Sequence, residues 1–334
     1  MKAKLMIAAL TASLTLAAGA QKLTGAGATF PNPIYSKWFS EYSATHPGVQ
    51  INYQAVGSGA GIRQVTSQTV DFGATDGPMT DQQIAESKVK LLHIPTVLGA
   101  VVPVYNVPGV TGDIKFAPEV IAGIYLGKIT RWNDANIEHD NPGIKFPDHA
   151  IEPVYRSDGS GTTYIFTDFL SKVVPEFQQK IGRGTSVSWP IGIGQKGNEG
   201  VAGMVRSSAY SFGYVELIYA EQNHMPFGLV RNAAFKYVKA TTAGVTAAAA
   251  SIKNMPTDFR VSITNAPGAD SYPISSFTWL LIPIPSQDPA KGKVLHDFVL
   301  WMLDHGEAEA SSLSYAPLPA SVAERVRQAA NMIH

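Results

Sequence analysis

VQINYQAVGSGAGIRQVTSQTVDFGATDGP, residues 49–78, holds two apolar patterns separated by a cluster of glycines. Val49, Ile51, Tyr53 and Ala55 alternate with polar residues, the period of a strand with one face less buried. Gly57-Ser58-Gly59-Ala60-Gly61 supplies a tight turn into a short helix carrying Ile62 and Val65. Val70 to Ala74 returns as a short strand and ends at Thr75-Asp76-Gly77-Pro78. Strand, turn, helix, strand is the order of a parallel α/β sheet.

The flanking segments continue this order. Upstream, Asn32 is placed to cap a helix with Pro33 at its first position. Ile34, Tyr35, Trp38, Phe39 and Tyr42 hold its apolar stripe, and His46-Pro47-Gly48 ends it. Downstream, Thr80 and Gln83 have capping-box spacing before another helix. The apolar run Leu91 to Tyr105, with prolines at 95 and 103, reads as two consecutive strands or as one strand and a crossover between domains. Pro118 to Tyr125 predicts a helix, Ile151 to Tyr155 a strand ending at Arg156, and about Ser160 to Val174 another helix. Asn198 can cap a helix through Val205, and Ala209 to Tyr214 returns as a strand. An alanine-rich helix near 240–250 and a strand around Phe277 to Ile284 follow. The last helix, near Lys291 to Leu303, turns Val294, Leu295, Phe298, Val299 and Met302 to one face. No internal repeat and no low-complexity linker interrupts the chain, so two domains would be joined by crossing strands.

A length of 334 residues permits two ordinary domains. With 26 basic and 26 acidic side chains, nothing supplies the basic field that nucleic-acid binding requires. A hydrophobic fraction of 45% and a mean hydropathy of +0.02 belong to a folded chain. The absence of cysteine excludes disulfides, thiolate metal sites and cysteine nucleophiles. Lys2 and Lys4, the apolar stretch Leu5 to Ala18 and the small residues Ala18-Gly19-Ala20 are the three parts of a secretory signal peptide cleaved after Ala20. Losing those two lysines takes the formal charge from 0 to −2. No later segment has 18 uninterrupted apolar residues, so an exported, soluble product is expected.

Three loops share one chemistry: Thr24 to Pro31, Gly57 to Gly61, and Arg156-Ser157-Asp158-Gly159-Ser160-Gly161-Thr162. Each joins glycines to hydroxyl donors and precedes a helix, where backbone N–H groups are left unpaired. Such groups bind an oxyanion without net positive charge on the protein, and Arg156 would add a fork of donors. Taken singly, each loop is also ordinary turn and cap chemistry. Neither glycine cluster is followed by Gly-Lys-Ser/Thr, and the glycines at 25 and 27 lack the third of a dinucleotide fingerprint. Asp76 either shapes a turn or, if the loops converge, accepts a proton from the ligand. A carboxylate in an anion site suits an anion that still carries hydrogen and repels one that does not, such as sulfate.

On these residues the chain resembles the high-affinity periplasmic phosphate-binding proteins of bacterial phosphate ABC transporters. The matching stretches are LTGAGATFPNP (23–33), YQAVGSGAG (53–61), VDFGATDGP (70–78), YLGKITRWN (125–133), RSDGSGT (156–162), WPIGIG (189–194), GYVE (213–216) and YAPLP (315–319). They cover the chain beyond the leader in the family's order. The resemblance implies an α/β, two-lobe Venus-flytrap fold of type II. One lobe is discontinuous, 21–100 with 270–334, and the other spans 101–269. It further implies phosphate contacts at Thr29, Phe30, Ser58, Asp76, Arg156, Asp158, Ser160, Gly161 and Thr162. Phe30 and Gly161 would act through N–H groups, and Thr29, Ser58, Ser160 and Thr162 through hydroxyls. Asp76 would read the phosphate proton, and Asp158 would hold Arg156. The family's partners are inorganic phosphate and the permease and ATPase subunits of the transporter, with no cofactor; the place is the periplasm and the state a monomer. Gly59 and Ala60 depart from the family's frequent serine and glycine, and Thr75 from its frequent serine.

Other readings are weaker. Neither Ser58 nor Ser160 lies in Gly-x-Ser-x-Gly, and no spacing nominates a partner among the eight histidines, which argues against a phosphatase. His139 beside Asp134, Glu138 and Asp140 fits an exposed polar loop better than a metal site. An extracellular phosphate scavenger or surface-attachment protein would share the donor loops, but an unspecific anion binder has no use for Asp76. Trp38, Tyr42, Trp189, Trp279 and Trp301 are expected to pack rather than to meet a ligand.

Overall fold

The computed structural model describes residues 21–334; the leader read over residues 1–20 lies outside them. The chain begins with β1 (Gln21–Gly27), α1 (Asn32–Thr45), β2 (Val49–Ala55), α2 (Ser58–Thr66), β3 (Phe72–Thr75) and α3 (Asp81–Glu86), and then enters the long strand β4 (Leu91–Tyr105). There follow β5 (Lys115–Phe116), α4 (Pro118–Tyr125), α5 (Ala135–Asp140), β6 (Glu152–Arg156), α6 (Gly161–Val173), α7 (Pro175–Lys180) and β7 (Ile193–Gln195). Next come α8 (Gly197–Ser207), β8 (Ser211–Glu216), α9 (Leu217–Gln222), β9 (Leu229–Arg231), β10 (Tyr237–Val238) and α10 (Thr242–Ala249). The strand β11 (Ser275–Pro283) precedes α11 (Pro289–Asp304), a 3₁₀ turn at Gly306–Leu313 and α12 (Ala320–Ala330).

Eight strands pair in the order β2-β1-β3-β11-β4-β8-β6-β7, and β10-β9-β5 form a small second sheet. The pairs β1–β2, β1–β3, β6–β8 and β6–β7 are parallel, as the strand-turn-helix order requires. The middle differs from the sequence expectation: β11 runs antiparallel to both β3 and β4, and β4 runs antiparallel to β8. The reason lies in β4, which is one strand of 15 residues, nearer to the reading of one strand and a crossover than to that of two consecutive strands. It pairs with β11 through Leu91–Ala100 and with β8 from Val101 to Tyr105. A strand that leaves one group of elements for another reverses direction relative to the returning strand, so βαβ handedness does not govern this pairing. Pro95 is tolerated because the register shifts opposite it, between Thr278 and Trp279.

Local chemistry explains the element ends. Thr80 accepts from the Gln83 N–H at 3.2 Å while Gln83 Oε1 accepts from the Thr80 N–H at 2.9 Å, a complete capping box. Asn32 is not a cap. The Asn32 N–H already donates to the Thr29 carbonyl at 3.2 Å, so the turn winds one residue early and the helix starts at Asn32. Asn198 is not a cap either; α8 begins at Gly197 and the Asn198 side chain is buried elsewhere. Of the predicted α11 face, Leu295, Phe298, Val299 and Met302 are fully covered and Val294 is half-buried.

Aromatic rings fill the core on both sides of β4. Phe39 lies 5.7 Å from Phe72 and 5.1 Å from Phe298 in one region, and Phe166 stacks on Tyr214 at 4.2 Å in the other. Each such buried ring is worth roughly 1.5–3 kcal/mol of transfer free energy. Trp38 and Trp279 are fully buried and donate to the Gly306 and Phe259 carbonyls. Trp189 packs on Tyr125 and Tyr155, and Trp301 on Tyr42 and Phe298. His139 sits on α5 with its side chain 85% exposed. Among the described residues, no helix is long and apolar enough to cross a membrane.

Candidate functional site

The parallel strands set the positions of the three loops. β1 ends at Gly27, β2 at Ala55 and β3 at Thr75, so the segments carrying Thr29, Ser58 and Asp76 leave neighbouring strands at one edge. β6 ends at Arg156, and its loop leads into α6. Within each group the parallel strands present their C-terminal ends together, where helix N-termini also point. Because β6 and β8 run opposite to β1 and β3 across β4 and β11, the two sets of ends face each other. All nine residues expected at the ligand fall in this region, and direct bonds join the two groups of loops. Gly59 N–H donates to the Gly159 carbonyl at 2.9 Å, and Gly161 N–H donates to Ser58 Oγ at 3.1 Å.

The contact is closed to within a methyl group. A Cβ on Gly161 would stand 2.5 Å from Asp76 Oδ2 and 2.6 Å from Ser58 Oγ. Gly57 has φ 95°, a left-handed backbone, and its Cβ would meet Asp158 Oδ2 at 2.4 Å. Only glycine satisfies both demands there.

The hydroxyls share a polarity. Ser58 Oγ accepts from the Asp76 N–H at 3.2 Å as well as from Gly161. Ser160 Oγ accepts from the Thr163 N–H at 3.0 Å, capping α6. Thr162 Oγ1 accepts from Arg156 Nη1 at 3.4 Å and from Asn198 Nδ2 at 3.1 Å. Thr29 Oγ1 accepts from Asn198 Nδ2 at 2.9 Å and from the Asn198 N–H at 3.3 Å. A hydroxyl has two lone pairs and one hydrogen; with N–H donors on the lone pairs, the hydrogen is left for another acceptor.

Charges are neutralised in place. Arg156 Nε donates to Asp158 Oδ1 at 2.7 Å and Nη2 to Oδ2 at 2.5 Å, a bidentate pair. Burial opposes the Asp158 charge, but the Arg156 fork and the Gly197 N–H outweigh it and hold the pKa below its ordinary value. Asp76 is 1% exposed, and Thr278 Oγ1 donates to its Oδ1 at 2.7 Å. Burial pushes its pKa up to about 7, against the lowering by Thr278, Arg156 and Ser58. Near neutral pH this carboxyl can therefore either give or take a proton.

Several residues here escaped the sequence reading. Tyr53, Tyr219 and Tyr315 donate their O–H groups to the carbonyls of Ala28, Thr29 and Phe30, at 2.7, 2.5 and 2.6 Å. Three successive carbonyls are thus tied back, and among the described residues none accepts from the Phe30 N–H. Burial holds the Tyr219 and Tyr315 phenols protonated, far above their ordinary pKa. Tyr53 and Tyr315 lie within quoted motifs, and tyrosine at apolar strand or turn positions was the available signal. Thr278 and Asn198 had none beyond a cap-like position.

An α/β fold of two strand groups joined through β4, with converging helix-start donors between them, defines a two-lobe solute-binding protein of the type II periplasmic-binding class. The model of the PBP superfamily domain matches residues 13–305. The chain is 42% identical over 328 residues to the phosphate-binding protein PstS of Pasteurella multocida, covering 98% of this chain and 94% of that one. It is 43% identical over 307 residues to phosphate-binding protein PstS of Xylella fastidiosa strain Temecula1, covering 91% and 84%. The solved structure of a high-affinity periplasmic phosphate-binding protein, PfluDING, bound with phosphate, has the same fold with a TM-score of 0.75. It is 19% identical to this chain and covers 92% of it, with 93% of its own length matched. The chain belongs to the PstS phosphate-binding protein family.

Proposed function

We propose that the protein binds hydrogen phosphate between its two strand groups in the periplasm and hands it to the permease and ATPase subunits of a phosphate ABC transporter. The ligand contacts are Thr29, Phe30, Ser58, Asp76, Arg156, Asp158, Ser160, Gly161 and Thr162. Residues 1–20 direct export. One lobe comprises 21–100 with 270–334 and the other 101–269, with β4 and the segment leading into β11 crossing between them; ligand bridging the lobes stabilises the closed form.

The observation that carries this reading is Asp76. A carboxyl with its pKa at about 7 stands among N–H and O–H donors, while the Arg156 charge is already paired with Asp158. Dipolar donors solvate an anion without excess charge, and the acid accepts the one hydrogen that phosphate keeps and sulfate lacks. Titration calorimetry of phosphate-stripped protein tests it: one-to-one binding of phosphate with sulfate rejected is expected. Equal binding of the two anions overturns the selectivity.

A further inference from the structure

Asn198 occupies a position that the ligand set does not include. It is fully buried at the start of α8 and reaches both loop groups. Its Oδ1 accepts from the Glu216 N–H at 3.0 Å. A backbone donor can bond only the amide oxygen, so this contact fixes the amide orientation and turns Nδ2 the other way. The two Nδ2 hydrogens then go to Thr29 Oγ1 at 2.9 Å and Thr162 Oγ1 at 3.1 Å. The Asn198 N–H adds a second bond to Thr29 at 3.3 Å, and Arg156 a second to Thr162 at 3.4 Å.

We propose that Asn198 is a positioning residue that polarises both threonine hydroxyls. By filling their lone pairs it forces their hydrogens toward the bound oxyanion, and its bonds to Thr29 form only when the Thr29 loop is brought against the group that carries Asn198 and Thr162. This inference rests on the phosphate reading above. Without the amide, each hydroxyl can accept as readily as donate, and turning it toward the anion becomes a cost of binding. Asn198 also couples closure to donor polarity, because Thr29 and Asn198 stand on opposite loop groups.

The test is a double-mutant cycle of full-length mature protein, read by equilibrium dialysis with radiolabelled phosphate. Asn198→Ala is expected to weaken phosphate binding by about tenfold or more, about 1.4 kcal/mol. In a Thr29→Val/Thr162→Val background, where no hydroxyl remains to orient, the same substitution should change the dissociation constant by less than about threefold. A residue with only a structural role would give additive penalties, so additivity overturns the proposal, as does unchanged binding by Asn198→Ala. Should Asn198→Ala not fold, Asn198→Ser, too short to span both threonines, carries the same cycle. Failure of the wild type to bind phosphate removes the phosphate reading and this inference together; wild-type binding with an additive cycle removes this inference alone.

Discussion

Replacing Asp76 with asparagine separates the acid's electrical role from its shape. The carboxyl is 1% exposed, accepts from Thr278 Oγ1 at 2.7 Å and has Oδ2 3.5 Å from Ser58 Oγ. Burial lifts its pKa from an ordinary 3.8 to about 7. The folded protein therefore keeps this proton over a pH range in which the unfolded chain has lost it. The stability so supported is complete below about pH 4, declines as pH rises to about 7 and is gone above it. Three pKa units at about 1.4 kcal/mol each correspond to about 4 kcal/mol. Asparagine can keep the Thr278 bond and does not titrate. Phosphate-stripped Asp76→Asn should accordingly gain on the wild type by about 4 kcal/mol between about pH 4 and pH 8, measured by urea unfolding along a pH series. Other titrating groups are common to both proteins and cancel in the difference. Phosphate should bind the variant more weakly and sulfate more tightly, because the amide adds a donor where the carboxylate repelled. A stability difference flat across that pH range would refute the buried acid, and unchanged anion selectivity would refute its reading of the proton.

Arg156→Ala removes a guanidinium held in a buried bidentate pair and leaves Asp158 uncompensated. Breaking such a pair costs about 3–5 kcal/mol of folding stability, read by urea unfolding; the lost guanidinium donors should separately weaken phosphate binding by about tenfold or more, about 1.4 kcal/mol, read by calorimetry. Arg156→Lys should not restore it, since one ammonium cannot match two carboxylate oxygens; an unaltered dissociation constant in either variant would take Arg156 out of the site. Gly161→Ala drives a methyl to 2.5 Å from Asp76 Oδ2. With saturating phosphate its radius of gyration by small-angle scattering should stay above that of the bound wild type, and its affinity should drop by about tenfold. Wild-type compaction and affinity would show that the glycine contact is not needed for closure.

The tyrosines bonded to the Ala28–Phe30 carbonyls tie back a loop of the proposed phosphate site. Their O–H groups come from β2, α9 and the segment after the 3₁₀ turn, so three separate parts of the chain fix one short loop. The Ala28 N–H donates to the Ala74 carbonyl at 3.0 Å, while among the described residues nothing accepts from the Thr29 and Phe30 N–H groups; carbonyls satisfied and amides left over is the asymmetry an anion needs. Thr278 acts in the same way on Asp76 from β11, which is 202 residues away in sequence.

Sequence alone determined the features written in short range. Period-2 alternation in β2, the Thr80–Gln83 capping box, the α11 face and the glycine-hydroxyl loops each depend on residues within a few positions of one another. The antiparallel middle of the sheet was not legible, because the apolar run 91–105 reads the same whether it pairs with one neighbour or two. Only tertiary structure switched its partner from β11 to β8 at Ala100–Val101. Asn198 looked like a helix cap because local spacing cannot see Thr29, 169 residues away. The same holds for the acidity of Asp76: a carboxyl's composition is fixed by the gene, but its pKa is set by the low-dielectric surroundings and distant hydroxyls that folding brings to it.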